Sequence, residues 1–179
     1  LTKKELKQII DYAKALPDIH NNKVYTTLIL LLIDTGARIN EVLSIEKKHI
    51  DFESNEILLV TTKTKTDRLV YFLDDTKSHM QSLKSSGSKF LLYNDLKDRP
   101  LNYEDVRFFF RTIKSKLNIK LLHPHMFRHT LATNLVEADV DLLSIKSILG
   151  HINLKTTERY LHASNRHIKK QYQSKFTRL

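Results

Sequence analysis

The sequence contains no cysteine, which excludes disulfides, thiolate zinc sites and cysteine nucleophiles and fits a reducing compartment. Long apolar runs are missing as well. The most apolar stretch, 24–33, is ten residues long and then meets Asp34. It is too short to span a bilayer and reads as a buried helix, so no membrane partner is expected. No signal peptide is expected from its opening residues, and the sequence shows no internal repeat and no low-complexity tract. Glycine and proline number three each, and the one flexible-looking stretch, Ser85-Ser86-Gly87-Ser88, is too short to separate two domains. The chain opens on Leu1 rather than Met, as expected of a fragment or a processed product.

What is present points to one ordinary domain. The 179 residues are 41% apolar, enough to bury a core. Charged residues make up 28%, with a formal net charge of +10 and a pI near 9.7. Such an excess favours a polyanionic partner, because neutralising phosphates releases counterions.

Local patterns predict a mainly α fold with a small antiparallel three-stranded sheet. Thr2 and Glu5 form a capping box that starts a helix running to about residue 16, before Pro17. A second helix covers about 22–34 and stops at Gly36, and a short third covers 38–44. The β-rich runs 56–61 and 68–73 flank a polar turn and predict a hairpin, with a short strand near 49–52. Helices return at about 74–84, 103–117, 124–137, 141–149, 156–162 and 165–175, while 89–93 reads as either strand or loop.

Four islands carry chemistry: 35–43 with Arg38 and Glu41, Lys63 on the hairpin, His125-Met126-Phe127-Arg128-His129, and Leu149-Gly150-His151 with Tyr160 nine residues later. A guanidinium is planar, permanently charged and able to grip two phosphate oxygens at once. Arg38 stands at a helix start, where a cation opposes the helix dipole and needs a reason. Glu41 lies one turn on, either orienting Arg38 or solvated on the helix face. His125, Arg128 and His129 share a helix face. The i, i+4 histidines have metal-ligand spacing, but Met126 replaces the glutamate of the metalloprotease motif and no acidic third ligand stands nearby. No metal or other cofactor is expected.

In order and spacing these islands resemble the tyrosine recombinase family of phage integrases, Xer-type resolvases and conjugative-transposon integrases, over almost the whole chain. The resemblance implies a catalytic domain over 1–179 with the DNA breaking-rejoining fold, and site-specific recombination of double-stranded DNA without metal or ATP. It assigns Arg38, His125, Arg128 and His151 to the scissile phosphate and Tyr160 to nucleophilic attack, giving a 3′-phosphotyrosyl intermediate. A phenol has a pKa of about 10, so attack requires proton removal and phosphate neutralisation together. The hairpin lysine, Lys63 by counting back from 68–70 or else Lys65, acts as general acid on the leaving 5′ oxygen. Thr62 and Thr64 stand where the family commonly has glycines. Glu41 and His129 support this group from behind, and Lys65, Arg68, Lys155 and Arg159 are the expected DNA contacts.

The segment from Lys155 to Leu179 carries seven lysines and arginines against one acid, Glu158. It reads as a solvated basic helix, or, following the family, as a helix at about 164–179 that docks on a neighbouring protomer or folds back in cis. Ile168, Tyr172 and Phe176 supply its apolar stripe. The expected assembly is a homotetramer on paired sites and a monomer for the isolated domain. A cytoplasmic protein of bacterial or phage origin, associated with the nucleoid, is expected. The core-binding domain that precedes this region in the family is absent from the chain. Two alternatives remain: a DNA-binding module that no longer cuts, which would lack an arginine or the tyrosine, and relaxation of single duplexes in the manner of a type IB topoisomerase.

Overall fold

The computed structural model describes residues 1–60, 67–83 and 87–150. The predicted helices at 156–162 and 165–175, and the hairpin turn, lie outside these residues. Within them a mainly helical domain carries a small antiparallel sheet, as expected.

Helix α2 (His20–Thr35) is the centre of the packing. Its apolar residues are not confined to one stripe, and Val24, Leu28, Ile29, Leu31 and Leu32 are all at most 1% exposed. A helix apolar on several sides must be covered on several sides. Helices α1 (Lys3–Lys14), α4 (Asp74–Gln81) and α6 (Pro124–Glu137) supply that cover. At roughly 1.5–3 kcal/mol per fully buried aliphatic side chain, this helix is the largest apolar contribution to the fold. The predicted capping box of α1 is formed, with Glu5 N donating to Thr2 Oγ1 at 3.1 Å and Thr2 N to Glu5 Oε2 at 2.8 Å.

Asp34 ends the apolar run and joins two elements. Its carboxylate accepts from Leu73 N at 2.9 Å and from Thr76 Oγ1 at 2.5 Å, which starts α4 against the end of α2. Burial raises its pKa despite those two donors.

The sheet has the order β1 (Ile50–Asp51), β2 (Glu56–Leu59), β3 (Arg68–Tyr71), with both pairings antiparallel. Register sets Ile57 opposite Val70 and Leu59 opposite Arg68. Ile57, Leu59 and Val70 face the core, and Leu58, Leu69 and Tyr71 face out, so the strand period of two is kept. Arg68 therefore shares the inner face with Val70. The ambiguous stretch 89–93 is a bent loop with one isolated bridge, Phe90 to Glu46, that leads into a second, two-stranded sheet of β4 (Tyr93–Asn94) and β5 (Arg99–Pro100). Next come α5 (Tyr103–Leu117), α6 and α7 (Leu142–Leu149). No helix among the described residues is long and apolar enough to cross a membrane.

Gly36 closes α2 in the left-handed region, at φ 55°. The position also admits no side chain, because a Cβ there would meet Leu131 Cδ2 at 2.8 Å and Leu149 Cδ2 at 3.2 Å. Helices α6 and α7 thus approach the end of α2 only because that residue is glycine. Gly87 has a similar φ of 69° but nothing within 4 Å of a Cβ. Gly87→Ala is expected to cost the backbone strain alone, about 1 kcal/mol. Gly36→Ala should cost about 2 kcal/mol more through overpacking, measured by urea unfolding.

Candidate active site

Beyond Gly36 the chain turns through Ala37 into α3 (Ile39–Leu43), whose N-cap is Arg38. An arginine has no acceptor to cap a helix and places a cation against the positive end of the dipole. Glu41 at the third helical position offsets both defects. Its Oε2 accepts from Arg38 N at 2.7 Å, and its Oε1 accepts from Arg38 Nη1 at 3.0 Å. The Arg38 side chain remains 45% exposed. Glu41 does orient Arg38.

The stronger partner of Glu41 comes from the sheet. Arg68 Nη1 donates to Oε1 at 2.8 Å and Nη2 to Oε2 at 2.7 Å, a fork in which each nitrogen takes one oxygen. The two side chains are only 10% and 11% exposed. Burial by itself would raise the Glu41 pKa. The hydrogen bonds from Arg68 and Arg38 overcome it and bring the carboxyl down to about 2. With two bonds from each arginine, Glu41 has its four acceptor positions filled. Arg68, expected among the DNA contacts, instead directs its guanidinium inward. The signal was in the sequence: Arg68 is two residues before Val70, on the face of β3 that turns to the core, and a cation there needs a buried partner.

Arg128 sits on α6 and is 6% exposed. Its Nη1 donates to the carbonyl of Gly36 at 2.9 Å, and its Nη2 donates to the carbonyl of Leu149. Arg68 Nε donates to the carbonyl of Ile148 at 3.2 Å. These carbonyls lie at the C-terminal ends of α2 and α7, where the last acceptors of a helix lack partners and the dipole favours cations. The result is a closed chain of contacts. It runs from Gly36 along the backbone to Arg38, then by hydrogen bonds through Glu41 and Arg68 to the last turn of α7, and through Arg128 back to Gly36. Arg38 and Arg68 share the Glu41 carboxylate, and Arg128 bonds the carbonyls of Gly36 and Leu149, so the cluster brings three guanidinium groups and one carboxylate together.

His125 is one turn before Arg128 on α6 and is exposed. Its ring stands 6.4 Å from that of His123, the N-cap of α6. Partial burial and the neighbouring His125 together lower the His123 pKa, so its neutral form is favoured. His123 was not singled out from the sequence, since it precedes the helix and matches no motif position. His129 is exposed one turn after His125. No three histidine, aspartate or glutamate side chains among the described residues are grouped as a metal would require. Lys63, Lys65, His151, Lys155, Arg159 and Tyr160 lie outside the described residues. Gly150, next to His151 in sequence, ends α7 at φ 63°, and a Cβ on it would meet Arg68 Cδ at 2.7 Å.

Because the Glu41 carboxyl falls from 4.5 to about 2 on folding, its contribution to stability is complete above the unfolded value. It is lost as pH falls through the folded value. Thermal melts between about pH 6 and pH 3 should therefore show a shallower acid limb in Glu41→Gln than in the parent, from a lower starting Tm.

The chain is similar to known proteins at three levels. The model of the phage integrase family matches residues 1–167. A probable integrase/recombinase of Acholeplasma phage L2 is 30% identical over 94% of the chain and 59% of its own length. The tyrosine recombinase XerC of Staphylococcus aureus strain JH9 is 32% identical over 87% of the chain and 54% of its own length. The chain thus spans between half and three fifths of the length of these relatives. The solved structure of XerA recombinase superposes with a TM-score of 0.81 over all of the chain and 65% of that protein, at 22% identity. The catalytic domain of bacteriophage HP1 integrase does so with a TM-score of 0.72 over 97% of the chain and 92% of that domain, at 21% identity. XerH, solved in a post-cleavage complex with its difH substrate, gives 0.79 over 95% of the chain and 51% of its own, at 21% identity. With the arginine-centred site in place and the family model matched from end to end of the described residues, the chain belongs to the phage integrase family.

Proposed function

We propose that this chain is the catalytic domain of a tyrosine-type site-specific DNA recombinase that acts by transesterification, with neither metal nor ATP. The observation that carries the reading is the contact ring, in which the Glu41 carboxylate holds Arg38 and Arg68 while the carbonyls of Gly36 and Leu149, at the ends of α2 and α7, hold Arg128. A fixed group of guanidinium cations with excess positive charge suits an anion that gains charge in its transition state. That describes a phosphodiester under attack. Arg38, half exposed and held along one edge by Glu41, presents its other edge to a non-bridging oxygen. Arg128 supplies buried positive charge behind it, with His125 one turn away.

In this reading the Tyr160 oxygen attacks the phosphorus as its proton passes to a basic neighbour. The bond to the 5′ oxygen breaks, and that oxygen takes a proton from Lys63, or from Lys65. The products are a 3′-phosphotyrosyl bond and a free 5′-hydroxyl. Attack by a 5′-hydroxyl from another strand reverses the chemistry and regenerates the tyrosine, so bond energy is conserved and no nucleotide is consumed. His151 donates a hydrogen bond to the phosphate, and His129 steadies α6. Lys155 and Arg159 contact the DNA backbone beside the nucleophile. Arg68, held by Glu41, acts from inside the domain. Recombination requires two paired duplexes and hence four copies, with the segment 164–179 joining neighbours. The place of action is the cytoplasm of a bacterial cell, on its nucleoid or on a phage or mobile element.

The test is a nicked suicide duplex carrying the core site, incubated with the protein in EDTA. A covalent adduct at the 3′ phosphate is expected, and Tyr160→Phe should remove it. No adduct from the parent would overturn the proposal. Arg38→Ala should slow cleavage by about 100- to 1,000-fold, the effect of losing one fixed donor to a transition-state oxygen, while DNA binding persists. Binding itself should weaken with salt, as a line of negative slope in log K against log salt.

A further inference from the structure

We propose that Arg68 is a positioning residue for Arg38, holding the phosphate-binding guanidinium in its working orientation through Glu41; this rests on the recombinase reading above. Three observations converge on it. The first is that the charge is out of place. Arg68 occupies an inward position of β3 opposite Leu59, where the pattern of Ile57, Leu59 and Val70 calls for an apolar residue, and its side chain is only 10% exposed. A cation so nearly removed from water persists only when its donors are matched. All three kinds of donor nitrogen are matched: Nη1 and Nη2 on Glu41, and Nε on the Ile148 carbonyl.

The second is the geometry of Glu41. An ion pair between a carboxylate and a half-exposed arginine one turn away is weak and mobile when left alone. Here the Arg68 fork fixes both oxygens and the plane of the carboxylate. The direction in which Oε1 accepts from Arg38 Nη1 is then fixed as well. Arg38 is held along one edge, and no other described residue bonds its remaining nitrogens.

The third is the contact with α7. A Cβ on Gly150 would stand 2.7 Å from Arg68 Cδ and 2.8 Å from its Nε, so the chain passes directly over the Arg68 side chain. One planar group thus touches the sheet, the start of α3 and the end of α7. A lysine at this position keeps the charge but has a single nitrogen, which cannot span two carboxylate oxygens and a carbonyl in one plane.

The experiment uses the full chain on a suicide duplex with the core site, made once with the natural phosphodiester and once with a methylphosphonate at the scissile position. The methyl group removes one non-bridging oxygen and its charge, and with it much of the need for Arg38. Arg68→Lys is expected to bind DNA within about twofold of the parent but to cleave the diester about 10- to 100-fold more slowly, the cost of misplacing a catalytic group. On the methylphosphonate that deficit should shrink, as it should for Arg38→Ala. In a Glu41→Gln background, where Arg68 has no carboxylate to hold, Arg68→Met should add no further loss. Parental rates from Arg68→Lys, an equal deficit on both duplexes, or an additive loss in the double variant would each overturn the positioning role while leaving the recombinase reading intact. A parent that forms no adduct would overturn both.

Discussion

Everything at the centre of this domain depends on a single carboxylate that is nearly out of water. Glu41 accepts from two arginines that arrive from different parts of the chain, one at the start of its own helix and one from the sheet. Without it, Arg68 would be a buried charge with no counterion, and Arg38 would be a half-exposed cation opposing a helix dipole. Removing one member of such a pair is costly, because the other stays desolvated. Retaining both costs less, and it fixes where two guanidinium groups stand.

Helix ends extend the same electrostatics. The terminal carbonyls of α2 and α7 carry partial negative charge and lack partners within their helices. Arg128 and Arg68 satisfy them from outside. Both helices end in a left-handed glycine, and at Gly36 and Gly150 alike a side chain would collide with a neighbour. Two of the three glycines in the sequence are therefore placed where the elements of the arginine cluster meet. Close approach and charge fixation are one arrangement here. The glycines let α7, α6 and the sheet come near enough for arginine side chains to bridge them.

Much of the fold was legible beforehand, for reasons that differ between elements. Helix α1 announced itself by Thr2 and Glu5, whose side chains satisfy backbone groups three residues away, and such local chemistry does not wait for tertiary contacts. The hairpin was readable from two β-rich runs on either side of a polar turn, a signal carried within a few residues of sequence. The stretch 89–93 was not readable. Its short pairings, with Glu46 and within β4 and β5, depend on partners distant in sequence or on a turn too short to leave a pattern. Helix α2 also starts two residues before the expected 22, because His20 and Asn21 continue the helix without contributing to its apolar run.

At the site the division is sharper. Residue types, order and spacing in the sequence marked Arg38, His125 and Arg128 as candidates for a phosphate site, since guanidinium and imidazole chemistry and one-turn separations on a helix are local properties. Local spacing also put Glu41 within reach of Arg38. Only tertiary structure decided which arginine faces solvent and which is buried. Arg68 is 27 residues from Glu41 and 80 from Ile148 along the chain. No periodicity links such positions; the packing of β3 against α3 and α7 does. That packing brings the Arg68 guanidinium onto Glu41, because a cation on the core side of a strand has nowhere else to find its counterion.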